Sequence, residues 1–109
     1  MELVRVKAEL SAPTEGSICL FDSVLDDIAQ RELVNLLMEK CGALACVFCG
    51  SDDDGYRYII GSKSIDLRKN SKTINAAIEG RGGGSVQMIQ GKASANRKLI
   101  EENIKNLQL

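Results

Sequence analysis

Histidine and tryptophan are absent from this 109-residue chain, and proline occurs once. Without histidine, the usual acid–base group near neutral pH and the commonest zinc ligand are both missing. Aromatic residues are scarce: two tyrosines and two phenylalanines. No apolar run approaches the ~18 residues of a membrane span, so no membrane partner is expected. Glu2, Arg5, Lys7 and Glu9 fall within the first ten residues, which is not the composition of a secretory signal. A cytoplasmic address is the expectation.

Glycine, by contrast, is concentrated. Five glycines fall within GRGGGSVQMIQG, residues 80–91, and four of them lie in its first five positions. Ordering glycine is entropically costly, so such a cluster inside a domain needs a reason. Charge is also uneven. Residues 1–54 carry four basic and eleven acidic side chains, whereas residues 55–109 carry ten basic and four acidic. A basic half points either to a polyanionic partner or to solvated faces of opposite sign.

The length suits one domain. Residues 1–12 fit a strand and a helix equally well, and Pro13 ends the segment either way. Ile18–Phe21 is a short apolar strand. Ser23 begins a helix with Asp26 three residues on as a capping-box analogue, and Leu25, Ile28, Ala29, Leu33, Leu36 and Leu37 form its apolar stripe. ALACVF (Ala43–Phe48) is apolar on both faces, as a strand covered from two sides requires. GSDDDG (Gly50–Gly55) is a turn, and Tyr56–Ile60 completes a β-hairpin. Asp66 starts a second helix that Gly80 stops. After a glycine-rich loop come a short strand, Val86–Gln90, and a last helix capped by Ser94. The expected class is α/β: a single domain with a mixed sheet, a central β-hairpin, helices on both faces and a glycine-rich helix-to-strand loop.

Cys41-x4-Cys46-x2-Cys49 has the spacing that opens a plant-type iron–sulfur motif. No cysteine follows Cys49, and positions i and i+3 of a strand face opposite ways, so one metal cannot draw them together. The thiols read as small core residues. The glycine segment fits neither standard nucleotide loop. Ser85 stands where the third glycine of a dinucleotide fingerprint belongs, and the order helix–glycines–strand is inverted for that motif. A corner, or a recognition loop with Arg81 and Lys92 beside it for phosphate contact, remains open.

GGGSVQMIQG resembles the glycine-rich signature of the DHHA1 domain, the carboxy-terminal module of alanyl-tRNA synthetases and of free-standing alanyl-tRNA editing proteins. Gly82, Gly83, Gly84, Met88, Gln90 and Gly91 match it; Ser85, Val86, Gln87 and Ile89 depart from it. The upstream hairpin and the first strand and helix are similar too, and NAAIEGRGGG lies closer to the editing-protein branch. The resemblance implies residues 1–15 as the end of a helical linker and 16–109 as the domain. It implies a non-catalytic module without a cofactor of its own, zinc belonging to a separate editing domain. It implies alanine-specific tRNA as partner, a homodimer, or both. The nucleic-acid contacts it suggests are Arg81, Gly82, Gly83, Gly84, Gln90, Gly91 and Lys92, joined by Arg68, Lys69 and Lys72 from the preceding helix. The alternatives are the substrate-binding domain of a DHH-type phosphoesterase, whose glycines are usually followed by a histidine this chain lacks, and a purely oligomerising domain.

Overall fold

The computed structural model describes residues 16–22 and 25–107. The expected hairpin forms the middle of a five-stranded sheet. Its strands are β2 (Ala45–Ser51) and β3 (Gly55–Gly61), joined by the acidic turn at Asp52–Asp54. Strand β1 (Ile18–Phe21) lies parallel to β2, while β5 (Met88–Ala93) and β4 (Gly80–Gly84) continue antiparallel on the other side. The spatial order is β1-β2-β3-β5-β4, so the sheet is mixed.

Alternation along β2 and β3 sends apolar residues to both faces, and each face buries a separate core. Helix α1 (Asp27–Met38) lays Leu33, Val34 and Leu37 on Ala45, Val47, Cys49 and Ile59. Helices α2 (Leu67–Ile78) and α3 (Arg97–Asn106) cover the opposite face, over Cys46, Phe48, Tyr56, Tyr58, Ile60 and Ile89. Cys46 and Cys49 thus belong to different cores. All four aromatic residues lie on the α2/α3 side. Phe21 stacks on Phe48 at 5.0 Å, Tyr56 meets both rings edge-on, and Tyr58 tilts against Phe48 at 6.4 Å.

Capping differs from the sequence expectation in detail. Asp26, not Ser23, caps α1 by accepting from the Ala29 N–H at 2.7 Å; Ser23 lies outside the described residues, as does the segment expected as linker. Asp66 caps α2 as expected, and Asn96 rather than Ser94 caps α3. Ser94 instead donates to the Glu79 carbonyl at 2.9 Å. Helix α2 closes one residue before Gly80, on Glu79, which takes the left-handed conformation itself at φ 51°. Gly80 is thereby released into a strand. The helix-to-strand corner is present, but the glycine run is the edge strand β4 rather than a loop, and only residues 85–87 form the connection to β5.

Packing explains this strand. Gly82 and Gly91 stand opposite each other in the β4–β5 pair. A Cβ on Gly91 would fall 2.1 Å from the Arg81 carbonyl oxygen, and one on Gly82 would fall 2.6 Å from the Tyr58 hydroxyl. With no side chains in the way, Tyr58 reaches across from β3 and donates to Asn75 Oδ1 of α2 at 2.6 Å. Asn75 Nδ2 in turn donates to the Gly82 carbonyl at 3.2 Å. The edge strand is therefore tied to a helix at its centre, one of the ways an open edge is protected.

Candidate nucleic-acid interface

Helix α1 covers only half of its face of the sheet. The register runs Cys49↔Arg57↔Lys92↔Arg81 across β2, β3, β5 and β4, and directly opposed residues share a face. Three cations therefore stand side by side on three adjacent strands, just beyond the rim of the α1 core. Two adjoining depressions of about 460 and 410 Å³ open along this row, sharing Arg57 and Lys92.

The three cations are held differently. Arg57 is committed to α1: its Nε meets Asp27 Oδ1 at 2.8 Å and donates to Gln30 Oε1, while Nη2 donates to the Leu25 carbonyl. Gln30 is itself buried and donates to the carbonyls of Val47 and Arg57 at 2.8 and 2.9 Å. Arg81 and Lys92 are exposed and form no ion pair among the described residues. Next to them along the strands lie Gly83 and Gln90, opposed in the same register. Gly83 faces empty space: a Cβ there would meet nothing within 4 Å. Arg31 of α1 reaches over to this corner, donating to Gln90 Oε1 at 2.7 Å. Carboxylates mark the other end, where Asp54 and Glu79 line the larger depression.

The expected contact residues are thus divided. Arg81, Gly83, Gln90 and Lys92 share the open sheet face. Gly82, Gly84 and Gly91 alternate to the opposite side, where added Cβ atoms would strike neighbouring backbone. Arg68, Lys69 and Lys72 are exposed on α2, which packs over that opposite face. The sequence reading missed Arg31 and Arg57. The signal for Arg57 was present in YRY: an arginine between two tyrosines puts a charge on a strand face whose neighbour Ile59 is apolar, the mark of a face covered only in part.

Cys41, Cys46 and Cys49 show no activation. Its hydrogen bond with Cys19 and complete burial push the Cys46 thiol well up, and burial pushes Cys49 and Cys41 up. A nucleophilic thiol needs the opposite shift. Among the described residues no three His, Cys, Asp or Glu side chains are placed to hold a metal ion, and no helix is long and apolar enough to cross a membrane.

Comparison with known proteins supplies the fold's relative. The fold is shared with the C-Ala domain of Aquifex aeolicus alanyl-tRNA synthetase. That solved structure superposes with a TM-score of 0.57 over 84% of this chain and 90% of its own, at 17% sequence identity. No protein-family model and no curated protein matches the sequence. At that identity the likeness is one of architecture.

Proposed function

We propose that this chain is a non-catalytic, tRNA-associated module of an alanyl-tRNA synthetase-related protein, and that it meets RNA with the open sheet face bearing Arg81 and Lys92. The observation that carries the reading is this face: two unpaired cations beside a bare glycine backbone, in a fold shared with a synthetase's C-Ala domain. Arg and Lys side chains next to exposed backbone suit phosphate contacts, which bring affinity without reading sequence. The DHHA1-like glycine signature favours the editing-protein branch and alanine-specific tRNA, and the charged first ten residues favour a cytoplasmic address. The signature also favours a helical linker over residues 1–15. No cofactor is assigned to this chain; zinc would belong to a separate editing domain. The homodimer reading has less behind it, because Asn75 already occupies the Gly82 carbonyl at the centre of the β4 edge.

Titration of tRNA at rising salt tests the reading. Binding should be weak, and log K should fall linearly with log salt, Arg81→Ala with Lys92→Ala flattening the slope by about 2. No detectable tRNA binding at low salt would sink it.

A further inference from the structure

The open face has a property that selects among RNA structures. Unpaired bases are recognised by stacking, chiefly on aromatic rings and secondarily on guanidinium planes. This chain has four aromatic rings, and all four are packed together on the opposite side of the sheet. Among the described residues the open face offers guanidinium, ammonium, amide and bare backbone, with the carboxylates of Asp54, Glu79 and Asp27 at its margins and no aromatic ring.

Four of these groups stand at the corners of one rectangle. Arg81 lies opposite Lys92, and Gly83 lies opposite Gln90 two residues along. The rectangle measures about 4.8 Å between strands and about 7 Å along them, the size of one phosphate group with its ester oxygens. Arg31 closes the Gln90 corner from α1, through its 2.7 Å hydrogen bond. The empty space above Gly83 leaves the seat unobstructed. Glu79 and Asp54 lie beyond the Arg81–Lys92 side, and Asp27, at the rim of the adjoining depression, is paired with Arg57. Like charges directly opposed across strands destabilise a sheet. Here Lys92 is opposed on both sides, by Arg57 and by Arg81, and a bound anion removes that repulsion.

Resting on the proposed RNA-binding reading, we infer that Arg31, Arg81, Gly83, Gln90 and Lys92 form a seat for the sugar–phosphate backbone of base-paired RNA, engaged without regard to base identity. Arg31 belongs to it although it lies in the acidic half of the sequence.

Fluorescence anisotropy with the full chain separates this inference from the reading beneath it. The probes are a tRNA, two 16-base-pair RNA duplexes of unrelated sequence, and a 16-nucleotide uridine strand. At low salt the two duplexes should bind within about 2-fold of each other and the single strand on the order of 10-fold more weakly, since it finds no aromatic platform here. Arg81→Ala with Lys92→Ala should lower duplex and tRNA affinity on the order of 10-fold, and Arg31→Ala by several-fold. Arg31→Lys should recover part of that loss. Lys69→Ala with Lys72→Ala removes the same charge from α2 and should cost less. Circular dichroism melting confirms that each variant is folded. Single-strand binding as tight as duplex binding overturns the seat while the tRNA-binding reading stands; a loss carried chiefly by the α2 pair overturns the seat together with the choice of face, leaving only tRNA association. Wild-type protein that binds neither tRNA nor duplex overturns the reading, and the seat with it.

Discussion

The two halves of the sheet's α1-facing surface are built on opposite terms. Over β2 and β3, Ala45, Val47, Cys49 and Ile59 are sealed by α1, and the one charged neighbour, Arg57, is gripped by Asp27, Gln30 and the Leu25 carbonyl. Over β5 and β4, among the described residues, only Arg31 reaches across, to Met88 and Gln90. Arg81 and Lys92 stand unpaired there, and Gly83 has no side chain at all. The first half spends its polar groups on fixing the helix. The second leaves them free, at a cost in repulsion that stability alone would not select. That contrast locates the interface, and it also says which glycines belong to packing and which to the open face.

The largest effect should come from breaking the packed side. Gly91→Val puts a side chain into the Arg81 carbonyl. It should cost about 3 kcal/mol in urea unfolding, at the top of the range for overpacking. Tyr58→Phe keeps the ring but removes the donor to Asn75. A loss of about 1–2 kcal/mol is expected, with faster amide exchange in β4 than in β2, because the tie to the edge strand is weakened.

Alkali gives a graded loss on the same side. Burial, and then the Asp52 carboxylate at 2.6 Å, push the Tyr56 phenol up to about 12. An unfolded tyrosine ionises near pH 10, so between about pH 10 and 12 the unfolded state gives up a proton that the folded state keeps. Stability should therefore fall as pH rises through that window. Asp52→Asn should make the fall shallower. If both proteins titrate alike, Asp52 has no hold on Tyr56.

The open side should respond in the other direction. Lys92→Thr removes both like-charge oppositions and should raise stability by about 0.5 kcal/mol while weakening RNA binding. A destabilised Lys92→Thr would mean that the cation row costs nothing. The smallest effect belongs to Gly83→Ala: with empty space above it, unfolding should change by less than about 0.5 kcal/mol. A large loss there would erase the distinction between the two sets of glycines.

Much of the architecture was legible in the sequence because the core elements carry strong periodicity. The doubly apolar β2, the Asp66 cap and the Leu33–Leu37 part of the α1 stripe follow from local pattern; Ile28, expected in that stripe, is exposed, and Gln30, Val34 and Met38 are buried instead. Strand β4 did not, since four glycines in five residues display no alternation. What makes it a strand is a long-range fact: Tyr58 must cross two chain segments to reach Asn75. Strand β5 was placed early, at Val86–Gln90, because its later half, Gly91–Ala93, looks like loop until paired with β3 and β4. The face of each candidate was equally hidden. Arg81 and Gly82 are adjacent in sequence, yet register sends one to the open side and the other to the core side. Arg31 escaped notice because it joins the face only through the packing of α1, and Arg57 because only strand register sets it beside Lys92.

Backbone amide shifts during an RNA titration test the central claim most directly. Adding tRNA to the labelled protein should move Arg81, Gly83, Gln90, Gly91, Lys92 and Arg31, leaving residues 68–72 of α2 comparatively still. Shifts concentrated on α2, with the β4–β5 face unmoved, would contradict the assignment of the open sheet face as the RNA surface.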